Sequence, residues 1–258
     1  MSLTETTTIL ITGATGAIGS ALAKHYAKAG THLILQGRNN VALGALAEGC
    51  KGQGAQVSTR AMDLRDIAAL QQWLAVLGTD QQLPDLVIAN AGMNINNGAA
   101  NEGERWEAID ALLDLNIKSA FALVNALLPA MRQRGSGQIA LVSSLAAFYG
   151  LPITPSYCAS KAALKSYGEA LRGWLADEGI KVNVIMPGYV KSAMCDGMPG
   201  PKPFLWSPEK AARYIAKGLE KNQARITFPF PLNFGTWWLA VLPAAFSQWI
   251  LRLIGYHD

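Results

Sequence analysis

Short apolar runs alternate with helix-period segments along nearly the whole chain. Residues 8–12 (TILIT), 31–35 (THLIL), 55–62, 86–89 (LVIA), 138–142 (QIALV) and 182–185 (VNVI) read as strands, with 224–228 (ARITF) as a further one. The first intervening helix places Ile18, Leu22 and Tyr26 on one face and ends at Gly30. A later one is capped by Asp66 and aligns Ile67, Leu70, Leu74 and Leu77. Two long helices are expected over roughly 104–134 and 156–177, and another opens at Ser207-Pro208, serine as cap and proline in the first turn. Continuously apolar strands alternating with helices demand a parallel sheet covered on both faces, and right-handed crossovers wind it in both directions. The expected fold class is therefore α/β, a doubly wound parallel sheet. No repeat, charge block or linker divides the 258 residues, so one domain is expected over 1–258, with residues 228–258 as an apolar extension of it.

In such sheets ligands bind beyond the carboxyl ends of the strands. The first strand runs into Thr12-Gly13-Ala14-Thr15-Gly16-Ala17-Ile18-Gly19. Glycines let the backbone approach a pyrophosphate, and the following helix offers unpaired N–H groups and the positive end of its dipole. Between a first strand and a first helix, that cluster points to dinucleotide binding. The second strand ends Gln36-Gly37-Arg38-Asn39. An acid there would hold the ribose 2′-hydroxyl of NAD; a guanidinium instead clamps a 2′-phosphate, which favours NADP.

Tyr157 and Lys161 lie four residues apart at a helix start, so both project from one face. A neighbouring ammonium, together with a positive nicotinamide ring, is expected to stabilise the phenolate and lower the tyrosine pKa from its usual value of about 10. Tyr157 can then pass a proton to a carbonyl oxygen or take one from an alcohol. Ser144, at the mouth of the preceding strand, offers a hydroxyl to hold the substrate oxygen.

TGATGAIG at 12–19, ANAG at 89–92, LNIKSAF at 115–121, VSS at 142–144, YCASK at 157–161 and PGYVKS at 187–192 resemble, in order and spacing, the motifs of the short-chain dehydrogenase/reductase family. The resemblance covers residues 8 to about 222 and implies a Rossmann-like sheet. It implies that Tyr157 is the acid/base and that Lys161 also binds the nicotinamide ribose. It implies that Ser144 orients substrate and that Asn116 holds a water relaying protons to Lys161. Asp63 and Leu64 would contact the adenine ring, and Asn90, Ala91 and Gly92 would line the adenosine side. Pro187, Gly188, Val190 and Ser192 would contact the nicotinamide end. The glycine spacing, Gly13-x-x-Gly16-x-x-Gly19 with Ala17 between, is similar to the family's longer branch, whereas length and YCASK match the short one. Ser192 stands where threonine is usual. A homodimer or higher oligomer through the two long helices is also implied, with Leu112, Leu123, Leu164 and Leu171 as available apolar surface.

Charge excludes some partners. The net charge is +4 but the Lys and Arg residues are dispersed, so nucleic acid is not expected. Cys50, Cys158 and Cys195 lack metal-type spacing and His25, His32 and His257 form no cluster, so no metal is expected and a reducing, cytoplasmic setting is. Cys158 reads as a small buried filler, and Asp110 and Asp114 as solvated helix residues. The N-terminus does not read as a signal peptide. Met93, Phe148, Tyr149, Met194, Met198, Phe204 and Trp206 follow the strands and suggest a roomy apolar pocket. The expected activity is NADP(H)-dependent interconversion of an apolar, lipid-like alcohol and its ketone or aldehyde, with NAD as second choice. The alternatives are a nucleotide-binding sensor and a cofactor-recycling epimerase or dehydratase. The tail, with Trp237, Trp238 and Trp249, Arg252 near its end and no acid before Asp258, either touches a membrane peripherally or closes over the site; Pro243 is expected to split any helix in it.

Overall fold

The computed structural model describes residues 6–78, 83–97, 102–198 and 200–255; His257 and Asp258 of the tail lie outside them. Strands β1 (Thr7–Ile11), β2 (Thr31–Gly37), β3 (Gln56–Ala61), β4 (Leu86–Ala89), β5 (Gly137–Val142), β6 (Ile180–Pro187) and β7 (Arg225–Phe228) form one sheet in the order β3-β2-β1-β4-β5-β6-β7. Every neighbouring pair is parallel. The order reverses between β1 and β4, which makes the crevice beyond their carboxyl ends the place for a ligand.

Alternate residues of the central strands feed two cores. Ile9, Leu33 and Ile185 pack with Leu22 of α1 (Ala17–Tyr26), Leu43 of α2 (Asn40–Lys51) and Ile215 of α8 (Pro208–Glu220). Leu10, Val87 and Leu141 pack on the other face with Leu70 of α3 (Ile67–Leu77), Leu123 of α5 (Ser119–Arg134) and Leu164 of α6 (Pro155–Trp174). The caps are where the side chains demand them: Asp66 accepts from Ala69 N and Ser207 from Lys210 N.

Four features differ from the sequence expectation. Helix α2 was not anticipated, because Gly44 and Gly49 dilute its pattern. It forms because Asn39 caps it and Leu43, Leu46, Ala47 and Cys50 bury one face. β2 continues to Gly37, which carries Gln36 into the sheet. The first long helix is interrupted: α4 (Trp106–Leu113) passes through a π turn, Asp114–Lys118, before α5 resumes. The run Trp106–Arg134 is long and apolar enough to cross a membrane by composition, yet half of its most apolar stretch is buried against the sheet. Leu112, Leu123, Leu164 and Leu171 are all buried within the chain, so they supply no dimer surface.

The tail forms two helices, α9 (Leu232–Val241) and α10 (Ala244–Leu253), split at Pro243. Ser247 Oγ donates to Leu239 O at 2.8 Å and joins them into a hairpin. Tyr149 OH donates to Ala244 O at 3.3 Å and ties that hairpin to the loop after β5. A short helix, α7 (Ala193–Asp196), lies between β6 and α8 and is capped by Ser192.

Candidate active site

The glycine turn between β1 and α1 is built by close approach. Gly13 has φ 61°, and a Cβ there would lie 2.8 Å from Ala91 Cα. A Cβ on Gly19 would lie 2.4 Å from Gly13 O, so Gly19 exists to seat α1 against the turn and does not itself line the crevice. Gly16 caps α1 with no side chain, which leaves the first amides and the dipole end clear. Gln36 locks the turn from β2: its Oε1 accepts from Gly13 N at 3.0 Å, its Nε2 donates to Met62 O at 2.8 Å, and its carbonyl accepts from Ala14 N at 2.8 Å. Thr12 Oγ1 accepts from Asn90 N and Ala91 N at 3.0 and 3.1 Å. Asn90 Nδ2 returns two bonds, to Thr12 O and Gly13 O.

A single cavity of about 1240 Å³ joins this turn to the expected catalytic residues. Gly13, Thr15, Gly16, Ala17, Ile18, Arg38, Asn39, Leu64, Asn90, Ala91 and Gly92 line one share of it. Ser144, Tyr157, Lys161, Pro187, Gly188, Val190 and Ser192 line another. Arg38 is exposed at the wall, while Asn39 spends its side chain capping α2. Besides Gly19, two predicted residues are placed otherwise. The Asp63 carboxylate is held by Arg65 Nη2 at 2.6 Å and lies outside the cavity; that guanidinium lowers its pKa. Asn116, in the π turn, is fully buried: its Oδ1 accepts from Met93 N at 2.8 Å and its Nδ2 donates to Met93 O and Ser160 Oγ. Both amide protons are used, so its side chain ties the loop after β4 to α6 instead of facing the cavity.

Lys161 is buried; its Nζ donates to Val142 O at 2.9 Å and lies 5.7 Å from the Tyr157 ring centre. Burial lowers its pKa to about 8. Tyr157 reaches the cavity wall, but burial pushes its pKa up to about 12, with the Ser144 hydrogen bond pulling the other way. The direction is opposite to the expected lowering, and desolvation of the phenolate is its largest cause. The two serines divide their work. Ser143 Oγ donates to Lys161 O at 2.7 Å and anchors α6. Ser144 Oγ faces the cavity, accepting from Ala146 N at 3.2 Å and within 3.4 Å of Pro187 O.

Sequence reasoning passed over three supports. Gln36 and Thr12 carry hydrogen-bonding side chains at strand ends, a readable signal. Glu104 carries none: its carboxylate accepts from Ser156 N at 3.1 and 3.3 Å, across 52 residues, and caps the turn that bears Tyr157. Of the apolar candidates, Met93, Tyr149, Met194 and Met198 line the cavity. Phe148 packs instead on the cluster of Leu145, Val184 and Met186, Trp206 stacks on Phe228 at 4.9 Å, and Phe204 is exposed at positive φ. The tail adds a further share of the wall, chiefly Leu232, Trp238, Leu239, Leu242, Leu251 and Ile254.

The short chain dehydrogenase family matches residues 7–199. The chain belongs to the short-chain dehydrogenase family. It is 34% identical over 238 residues to an uncharacterized oxidoreductase of Myxococcus xanthus, covering 92% of each chain. It is 32% identical over 219 residues to a fatty acyl-CoA reductase of Acinetobacter baylyi, covering 84% of this chain and 74% of that one. A short-chain dehydrogenase of Sphingobium yanoikuyae in complex with NADPH superposes with a TM-score of 0.80 at 26% identity, covering 98% of both chains. This dehydrogenase is accordingly an oxidoreductase of the nicotinamide-using kind. Its cradle fits that group, since the close-packed Gly13 turn and the uncapped start of α1 open into the cavity that Tyr157 and Lys161 share.

Proposed function

We propose that the dehydrogenase interconverts an apolar, lipid-like alcohol and its ketone or aldehyde with NADP(H). The observation that carries this reading is the single cavity in which Ser144, Tyr157 and Lys161 meet both the glycine turn and an apolar wall. Its volume of about 1240 Å³ exceeds the range of roughly 300–1,000 Å³ usual for one ligand, which suits a dinucleotide and a substrate side by side. When bound, the nicotinamide supplies or accepts the hydride. Tyr157 OH donates a proton to the carbonyl oxygen in reduction and recovers it in oxidation. Ser144 Oγ holds that oxygen, and Lys161 supplies the positive charge behind the phenol. Asn116 and Glu104 act through position, fixing the loop after β4 and the first turn of α6.

NADP is preferred to NAD in this reading because Arg38 stands at the cavity wall where β2 ends, with no acid beside it in sequence. The NADPH-bound relative agrees with it, and the fatty acyl-CoA reductase relative agrees with a long apolar substrate. We take residues 1–258 as one catalytic unit to which the tail belongs. Three unpaired, buried cysteines suit a cytoplasmic setting. Self-association draws on the outer faces of α5 and α6, where half-buried Phe121 and Tyr167 stack at 4.0 Å. The decisive experiment is a panel of ketones, aldehydes and alcohols of rising chain length, followed by NADPH absorbance. Turnover of apolar carbonyls with NADPH is expected; no net cofactor consumption with any of them would overturn the reading.

A further inference from the structure

Nine of the seventeen large apolar side chains exposed on the described surface lie between Phe230 and Ile254. Seven of them recur at helical spacing on the outer face of α9 and α10, with Phe230 and Ile254 flanking the hairpin, whose inner face is held by buried Leu239, Ser247 and Leu251. Three of the exposed residues are tryptophans, Trp237, Trp238 and Trp249. Large exposed apolar patches mark an interaction surface. Two of these side chains, Trp238 and Ile254, also line the cavity, as does exposed Met194, so the cavity reaches the surface at this patch.

We propose that the outer face of α9 and α10 rests on an anionic lipid bilayer and that the substrate mouth opens toward it. The chemistry selects that occupant. Tryptophan favours the membrane interface, and amphipathic helices lie in it without spanning. Arg252 is the one charged residue between positions 228 and 255, and no acid lies between Glu220 and Asp258. The whole chain carries a net charge of +4. A second copy docked on the same face would cover Trp238 and Ile254 and so close the mouth; a fluid bilayer delivers substrate through it. The proposal depends on the apolar-substrate reading only for what passes through that mouth.

The test is flotation of the full chain with vesicles of phosphatidylcholine alone and of phosphatidylcholine with phosphatidylglycerol. The chain is expected to float with the anionic vesicles and far less with the neutral ones. Trp237→Ser with Trp249→Ser, and separately Arg252→Glu, touch neither the cavity nor the catalytic residues. Each is expected to reduce the bound fraction roughly tenfold, with the melting temperature and turnover of a short water-soluble ketone unchanged. Failure to float with either vesicle overturns the proposal. So does light scattering that finds a dimer which these same substitutions dissociate, since the face is then a self-interface. Flotation without turnover of any carbonyl upholds the lipid surface and defeats the proposed activity alone.

Discussion

Tyr157 and Lys161 are displaced from their ordinary ionisation in opposite directions by one cause, burial. A phenol held near 12 is almost wholly protonated at neutral pH, which is the form carbonyl reduction needs. Alcohol oxidation needs the phenolate, so its rate is expected to climb with pH from 6 toward 8, where Lys161 still carries its charge, while reduction does not; initial rates in both directions check this. Tyr157→Phe is expected to lower turnover at least a thousandfold, on the order of the largest general-acid contributions, while a fluorescence titration still finds cofactor bound. Lys161 has a lowered folded pKa, so its buried ammonium costs stability in full below about 8, and that cost is relieved as pH rises toward the unfolded value of 10.5. Between pH 7 and 10 the wild-type protein should therefore gain about 2–3 kcal/mol relative to Lys161→Met, measured by urea unfolding without cofactor. Arg38→Ala should weaken NADPH about tenfold or more, the loss of a charge-assisted phosphate contact, and leave NADH unchanged.

Among elements, β1 and α1 are bound by a contact that permits no side chain. A Cβ on Gly19 meets backbone at Gly13 O and Ala14 Cα, so Gly19→Ala must push α1 outward. The expected cost is about 1–3 kcal/mol of stability and a loss of cofactor affinity of at least tenfold, read from thermal melting and titration; unchanged affinity would show that the turn tolerates the shift. Much of this layer was legible in the sequence. The apolar runs gave the strands, and Asp66, Ser207 and Pro243 set helix ends through local chemistry that needs no distant partner. α2 escaped because its two glycines hide a face that only tertiary burial rewards. Glu104 escaped because its partner, Ser156 N, is near in space and remote in sequence. The Asp63 carboxylate was assigned to the adenine pocket by resemblance, yet Arg65, two residues on, takes it first.

At the scale of the whole molecule, the cavity joins a rigid sheet edge to a hairpin of the last two helices. Each methylene that a substrate buries along Leu232, Leu242 and Leu251 is worth about 0.8 kcal/mol, or roughly fourfold. For methyl ketones of increasing length, kcat/KM should rise by steps of that order and level off once the chain reaches the mouth at Trp238 and Ile254. A flat series would mean that the tail does not touch substrate. The tail resisted reading because both faces of its helices are apolar, so periodicity could not separate the wall from the outer surface. Ser144, Tyr157, Lys161 and the glycine turn lie after β1 and β5 and on α6, within the stretch that defines the family, whereas much of the apolar cavity wall lies beyond it. Substitutions in the final two helices can therefore reshape the cavity wall without touching the stretch that defines the family.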